Sequence, residues 1–397
     1  MINQIKELSD LYFDQVVKIR RYFHSYPELS FRESGTSAYI ISKLEEWGIP
    51  YKNGYAGYGI VGWIEGKNPG RVVGLRADMD ALPVKETNDV PYRSKNEGIM
   101  HACGHDVHMA CLLGAVRILN DLKNEFDGKI KFVFQPAEER IPGGAKLMID
   151  ENALSPDEPE IMIAQHVFPD LTTGICGFRE GAYMASSDEI YITITGKGGH
   201  AAVPDKLIDP VVIASQLIVL LQNVSSRLAP PSIPVVLTFG RIIADGAVNV
   251  VPDKISIEGT FRTMNEEFRN KAHELIKQIC ENTVRSFGAV CDLEIRKGYP
   301  VLFNDPHVTS KAKHLAGEYL GKENSIDLDI RMTAEDFAYF AQKYPSFMYR
   351  LGTSHPGKPA SSPLHTSRFD IDENAMKTGS GMLAWLAYSF LSDPYTG

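Results

Sequence analysis

Cysteine is scarce in this chain. Its 397 residues include five, Cys103, Cys111, Cys176, Cys280 and Cys291, an odd number that argues against a disulfide framework and for reduced thiols in a cytoplasm. A basic surplus is also missing: 41 Lys and Arg stand against 50 Asp and Glu, a net charge of −9. Nucleic-acid binding needs the opposite balance, because phosphates are neutralised by Lys and Arg. No run reaches the ~20 apolar residues of a bilayer crossing. The longest, Val211 to Val224, is interrupted by Ser215, Gln216, Gln222 and Asn223 and reads as a buried helix. The opening residues, Met1 to Glu7, carry no apolar h-region, so export is not expected. Internal repeats and low-complexity tracts are absent. The expectation is a soluble, cytoplasmic protein with no nucleic-acid or membrane partner, 44% hydrophobic and 23% charged, as is ordinary for a globular chain. Its length suits two domains better than one core.

Short apolar runs at Val72 to Met79, Lys129 to Gln135, Ile161 to Val167 and Phe347 to Gly352 read as buried strands. Between the first two, Asp106 to Leu122 repeats apolar residues at helical spacing (Val107, Ala110, Cys111, Leu113, Val116). Near-continuous apolar strands alternating with helices predict an α/β domain with a mainly parallel sheet flanked by helices. The middle third differs. Asp188 to Lys197 alternates, with Ile190, Ile192 and Ile194 on one face. A helix over about 209–228 follows, then strands over 234–244 and 254–264, a helix over about 265–287 and a strand over 289–297. This β-α-β-β-α-β order predicts a ferredoxin-like α+β unit. The expected organisation is one discontinuous α/β domain, 1–186 plus 300–397, with 187–299 inserted.

Chemistry belongs at the carboxyl ends of the strands of such a sheet. There the sequence places Asp78 and Asp80, then Glu138 and Glu139 after Gln135-Pro136-Ala137, then His166. His101-Ala102-Cys103-Gly104-His105-Asp106-Val107-His108 precedes the helix, and Leu364-His365-Thr366 lies near the C-terminus. Thiolate, imidazole and carboxylate are metal-ligand types. Taken singly, each has a plain alternative: a free Cys is usually a small core residue, a Glu pair a solvated face, and His166 a core histidine. His24, His273, His307, His314 and His355 fall outside this set and are expected to be structural or at the surface.

Several segments together resemble the di-metal amidohydrolases, a family of hippurate hydrolases, N-acyl-amino-acid deacylases and auxin-conjugate hydrolases, related to aminoacylases and co-catalytic metal carboxypeptidases. They are Phe23-His24-Ser25-Tyr26-Pro27-Glu28-Leu29-Ser30-Phe31, Arg76-Ala77-Asp78-Met79-Asp80-Ala81-Leu82-Pro83, Met100-His101-Ala102-Cys103-Gly104-His105-Asp106, Gln135-Pro136-Ala137-Glu138-Glu139, Gly198-Gly199-His200-Ala201-Ala202, Asn249-Val250-Val251-Pro252-Asp253 and Leu364-His365-Thr366. They cover nearly the whole chain in order. The resemblance implies Cys103, His105, Glu139, His166 and His365 as ligands of two divalent ions (zinc, manganese, cobalt or nickel) and Glu138 as general base. It implies Asp80 as the partner that orients His105, His200 as a donor to the reaction's oxyanion, and Asn249 with Arg262 as holders of a substrate carboxylate. The inserted domain would be a lid and dimer seam, making a homodimer or higher homo-oligomer.

Glu138 and Glu139 are expected to diverge because neighbours in an extended segment point oppositely. Asp78 is expected to be structural, and Asp106 to cap the following helix. The implied reaction cleaves the amide of an N-acyl amino acid, with a dipeptidase or carboxypeptidase as the alternative. A cysteine hydrolase built on Cys103 with His105 or His101, and a dimeric binding module without catalysis, are the readings from other classes.

Overall fold

The computed structural model describes residues 1–357 and 362–392. It forms two compact units: Met1–Gly181 with Phe303–Asp329 and Asp336–Gly397, and Ala182–Leu302 with Ile330–Glu335.

The large unit is built on an eight-stranded sheet. Across it the strands run Tyr51–Tyr55, Gly59–Glu65, Lys129–Gln135, Val72–Asp78, Ile161–Thr172, Ser346–Ser354, Cys176–Phe178 and Ser325–Asp327. Pairing is parallel between Val72–Asp78 and both its neighbours, and between Ile161–Thr172 and Ser346–Ser354. The apolar runs read as strands are buried as such runs must be: Val73 to Asp78, Ile130 to Gln135 and all of Ser346–Ser354 are buried. Helices Ile2–Ser25, His105–Asp121 and Ala375–Ser392 pack together through Val16, Ile19, Phe23, Val107, Leu112, Met376 and Leu383. The fold is the mainly parallel α/β class expected.

The small unit has four antiparallel strands, Asp188–Thr195, Val235–Ile243, Lys254–Thr263 and Val290–Lys297, with helices Pro210–Leu221 and Glu266–Ser286 between them. Taken as first to fourth, they lie in the order second, third, first, fourth, the ferredoxin-like arrangement. Ile190, Ile192 and Ile194 point into its core with Ile213, Leu217, Leu221, Ile276 and Cys280. Both helices start at side-chain caps: Asp209 accepts from the Val211 and Val212 amides, and Asn265 from Phe268.

One expectation fails here. The apolar stretch near 211–224 is not a buried helix. Ile213, Ala214, Leu217 and Leu221 are buried, but Val211, Val212, Val219 and Leu220 are exposed, Val219 by 69%. A two-layer unit covers a helix from one side only, so an all-apolar helix keeps a bare face. Among the described residues, Pro210–Leu228 is the one helical stretch long and apolar enough to cross a membrane by length and composition.

Candidate metal centre

Strand register assembles the site in the large unit. Asp78 pairs with Gln135 on one side, and Arg76 pairs with Ala164 on the other. The ends of Val72–Asp78 and Lys129–Gln135 therefore lie level with His166, and Asp80 and Glu138–Glu139 follow directly at that edge. The helix His105–Asp121 begins beside it. Its first flanking residue is Gly104, in the left-handed region at φ +84°. A Cβ there would come within 2.5 Å of Val167 Cγ2, so both the conformation and the packing require glycine. His365, on the C-terminal turn, is tied in by its amide, which donates to Ala102 O at 2.8 Å.

The five residues implied as ligands come together. Cys103 Sγ is 3.5 Å from His166 Nε2 and 3.3 Å from His365 Nε2, and His365 Nε2 is 3.2 Å from Glu139 Oε1. The possible donor atoms of Cys103, His105 and His166 lie within 4.8 Å of one another, as do those of Cys103, Glu139 and His365. Two trios thus share one sulfur. Glu138 stands against them, its Oε2 3.9 Å from His105 Nε2.

The donor set fits cations. His105 Nδ1 donates to Asp80 O at 2.9 Å and His166 Nδ1 to Val167 O at 2.8 Å. Each ring thereby anchors Nδ1 on a carbonyl and turns Nε2 toward the other donors, the orientation that imidazole ligands take. His105 Nε2 is buried with no hydrogen-bond partner, a costly state for a polar atom unless an ion takes it up. Charge agrees. Burial opposes a proton on His105, yet Asp78 and Asp80 outweigh it and hold its pKa up at about 10. Burial, then Glu139, Glu138 and Asp78, push the Cys103 thiol up. A field this negative attracts a cation and disfavours a bare thiolate, the reverse of the setting a nucleophilic cysteine needs.

The surrounding residues include three surprises. Glu138 and Glu139 do not lie in an extended segment. They sit in a turn after Ala137, whose φ of +54° is left-handed, and a carboxylate oxygen of each lies within 4.8 Å of the other and of a His105 ring nitrogen. Asp106 does not cap its helix. It is buried within the first turn, where Arg20 Nε donates to it at 2.7 Å and His24 Nδ1 at 2.8 Å. Asp78, expected to be structural, touches the site: it holds Arg76 Nη1 at 2.7 Å and His108 Nδ1 at 2.6 Å, and its Oδ2 is 3.7 Å from His105 Nε2. Asp80 does more than orient His105. Its Oδ1 is 3.2 Å from His105 Nδ1, while its Oδ2 accepts from the Glu139 amide at 3.0 Å and from Ser30 Oγ at 2.6 Å. The sequence gives His108 no role beyond its place in the His101–His108 motif and does not mark Glu33. His108 lies one helical turn after His105, a spacing that shares a face; no local signal marks Glu33.

His200, Asn249 and Arg262 belong to the small unit. His200 is exposed on the short strand Gly199–His200, and Asn249 O accepts from the Ala201 amide at 3.1 Å, which sets the two residues side by side. Arg262 is half-buried on Lys254–Thr263 and donates to Met332 O at 3.1 Å.

An α/β unit that gathers imidazole, thiol and carboxylate donors into a two-metal site beside a second carboxylate defines a metal-dependent hydrolase. Residues 74–389 match peptidase family M20/M25/M40, and the chain belongs to that family. N-acetyl-L-cysteine deacetylase of Bacillus subtilis (strain 168) is 38% identical over 369 residues, 93% of this chain and 86% of that protein. Thermostable carboxypeptidase 2 of Saccharolobus solfataricus is 36% identical over 391 residues, 98% and 97% of the two chains. The crystal structure of Bacillus subtilis YXEP protein, described as a dinuclear metal binding peptidase from the M20 family, matches with a TM-score of 0.82 at 32% identity, covering 96% of this chain and 99% of that one. The chain is a metal-dependent amidohydrolase.

Proposed function

We propose that the protein cleaves the amide of N-acyl amino acids, with water as the attacking group and Glu138 as the base. The observation that carries this is the placement of the buried Glu138 carboxylate beside two donor trios that share Cys103. Cys103, His105 and His166 would hold one divalent ion, and Cys103, Glu139 and His365 the other. Such a pair of ions lowers the pKa of water and polarises the scissile carbonyl. Glu138 takes the water proton and returns it to the departing amine, a role worth about 10²–10⁴ in rate. Asp80 keeps His105 and the Glu139 backbone in place.

From the small unit, His200 is assigned to the oxyanion and Asn249 with Arg262 to the carboxylate of the amino acid, for which a guanidinium fork is the matching group. That unit would serve as lid and as the seam of a homodimer or higher homo-oligomer; the bare apolar face of Pro210–Leu221 supports the second role. The mixed thiolate, imidazole and carboxylate set suits zinc, manganese, cobalt or nickel. The absence of disulfides among the described residues suits a cytoplasmic location.

The test is metal analysis of purified protein together with amine release from a panel of N-acetyl- and benzoyl-amino acids and dipeptides, with and without chelator. Two ions per chain and chelator-sensitive release from the N-acyl substrates are expected. The carboxypeptidase relative motivates the dipeptide arm, and cleavage confined to it would move the assignment there. Full activity in metal-free protein would overturn both.

A further inference from the structure

The turn that carries the two glutamates is braced by a residue outside the metal centre. Glu33 precedes the helix Ser34–Glu46, but its side chain does not cap it. It is fully buried, and its Oε1 accepts the Ala137 amide at 2.8 Å. Its Oε2 has no hydrogen-bond partner. At the next peptide unit, Ala137 O accepts from the Gly144 amide at 3.1 Å. Gly144 is pressed so close that a Cβ would meet Pro136 O at 1.8 Å. Ala137 is left-handed, a conformation that strains a residue with a Cβ and persists only where the surroundings fix it. The site is a poor one for an ionised carboxylate: burial, and then the Asp80 carboxylate, push the Glu33 pKa up to about 7.

We infer that Glu33 is a positioning residue for the reaction: by holding the Ala137 amide it fixes the left-handed turn from which Glu138 and Glu139 reach the donor cluster. The inference rests on Glu138 being the base. Asp80 holds the Glu139 amide independently, so losing the brace should disturb Glu138 more than the ligand. The brace acts through a hydrogen-bond acceptor, not through charge. A glutamine there keeps the acceptor; a methionine fills the space without it.

The experiment compares Glu33→Gln and Glu33→Met with the wild type, and with Glu138→Gln as a control for the base. Three quantities are read: hydrogen exchange at the Ala137 amide in metal-free protein, metal content, and kcat and KM separately on the best N-acyl substrate. Glu33→Gln should keep amide protection and most of kcat. Glu33→Met should lose protection and drop kcat roughly 100-fold, the scale of a small misplacement of a reacting group, with KM and two bound ions retained. If Glu33→Met does not fold, Glu33→Asp, which retracts the acceptor by one methylene, carries the same expectation. Wild-type kcat and protection in Glu33→Met, or in Glu33→Asp where it stands in, with Glu138→Gln inactive, would overturn the brace while leaving the base in place. An active Glu138→Gln would overturn the base itself.

Discussion

Asp78 and His108 are locked together by a 2.6 Å hydrogen bond from His108 Nδ1, and the opposite nitrogen, Nε2, accepts the Val167 amide at 2.9 Å. The imidazole is thereby fixed as its Nδ1–H tautomer and links the Arg76–Asp78 ion pair to the backbone immediately after His166. Burial, with the Arg76 and His105 charges, outweighs the pull of Asp78 and keeps the His108 pKa below its ordinary value, so the ring stays neutral and able to accept. His108→Leu removes both bonds at once and leaves the Val167 amide buried without a partner. A loss of about 2–3 kcal/mol in denaturant-measured stability is expected, with metal binding weaker by roughly 10- to 100-fold in calorimetry. Unchanged metal affinity would show that His108 serves the core alone.

Glu138→Gln keeps the shape of the side chain and removes its basicity. Turnover should fall by about 10²–10⁴ while elemental analysis still finds two ions per chain. Normal turnover in this variant would end the assignment of the base.

Asp80→Ala removes one carboxylate from three partners: His105, the Glu139 amide and Ser30. His105 and Glu139 are proposed to hold different ions, so competition titration against a chelator should show affinity lowered roughly 10- to 100-fold, at both sites and not at one. Loss confined to a single site would mean that the Glu139 contact is incidental.

His24 is buried between Asp106 and Glu86, with Nδ1 at 2.8 Å and Nε2 at 3.2 Å from their oxygens. Burial and the Arg20 charge disfavour its protonation, but Asp106 and Glu86 prevail and its pKa is raised above the ordinary 6.5. The native state therefore binds a proton that the unfolded chain releases. Stability from this proton is full below pH 6.5 and lost as pH rises through the folded-state value. Unfolding midpoints of metal-free protein should decline over that interval, and the decline should flatten in His24→Gln. A slope identical to that of the wild type in the variant would show that His24 does not titrate there.

What could be read from the sequence divides by range. Cys103, His105, Glu139, His166 and His365 sit at strand ends or in short motifs, and apolar runs locate strand ends without any tertiary knowledge. The elements of the small unit were legible for the same reason, because Ile190, Ile192 and Ile194 alternate and the helices carry local caps. The readings that failed depended on partners distant in the chain. Asp106 resembles a cap until Arg20 and His24, more than 80 residues earlier, claim its carboxylate and Gly104 starts the helix before it. The turn that carries Glu138 and Glu139 begins at a left-handed Ala137, and nothing local demands that conformation of an alanine. The apolar helix near 211–224 has the composition of a buried element, but how many layers cover it is a property of the unit, not of the segment.

The strand Ser346–Ser354 lies between Ile161–Thr172 and Cys176–Phe178 in the large sheet, although the ribosome makes it about 170 residues after the first of them. Until it emerges, a nascent chain displays one long edge of Ile161–Thr172 with its peptide groups unpaired, the kind of template that captures other chains. The turn bearing His365 arrives later still. Truncation products that end ahead of Ser346 should thus be caught by chaperones or precipitate.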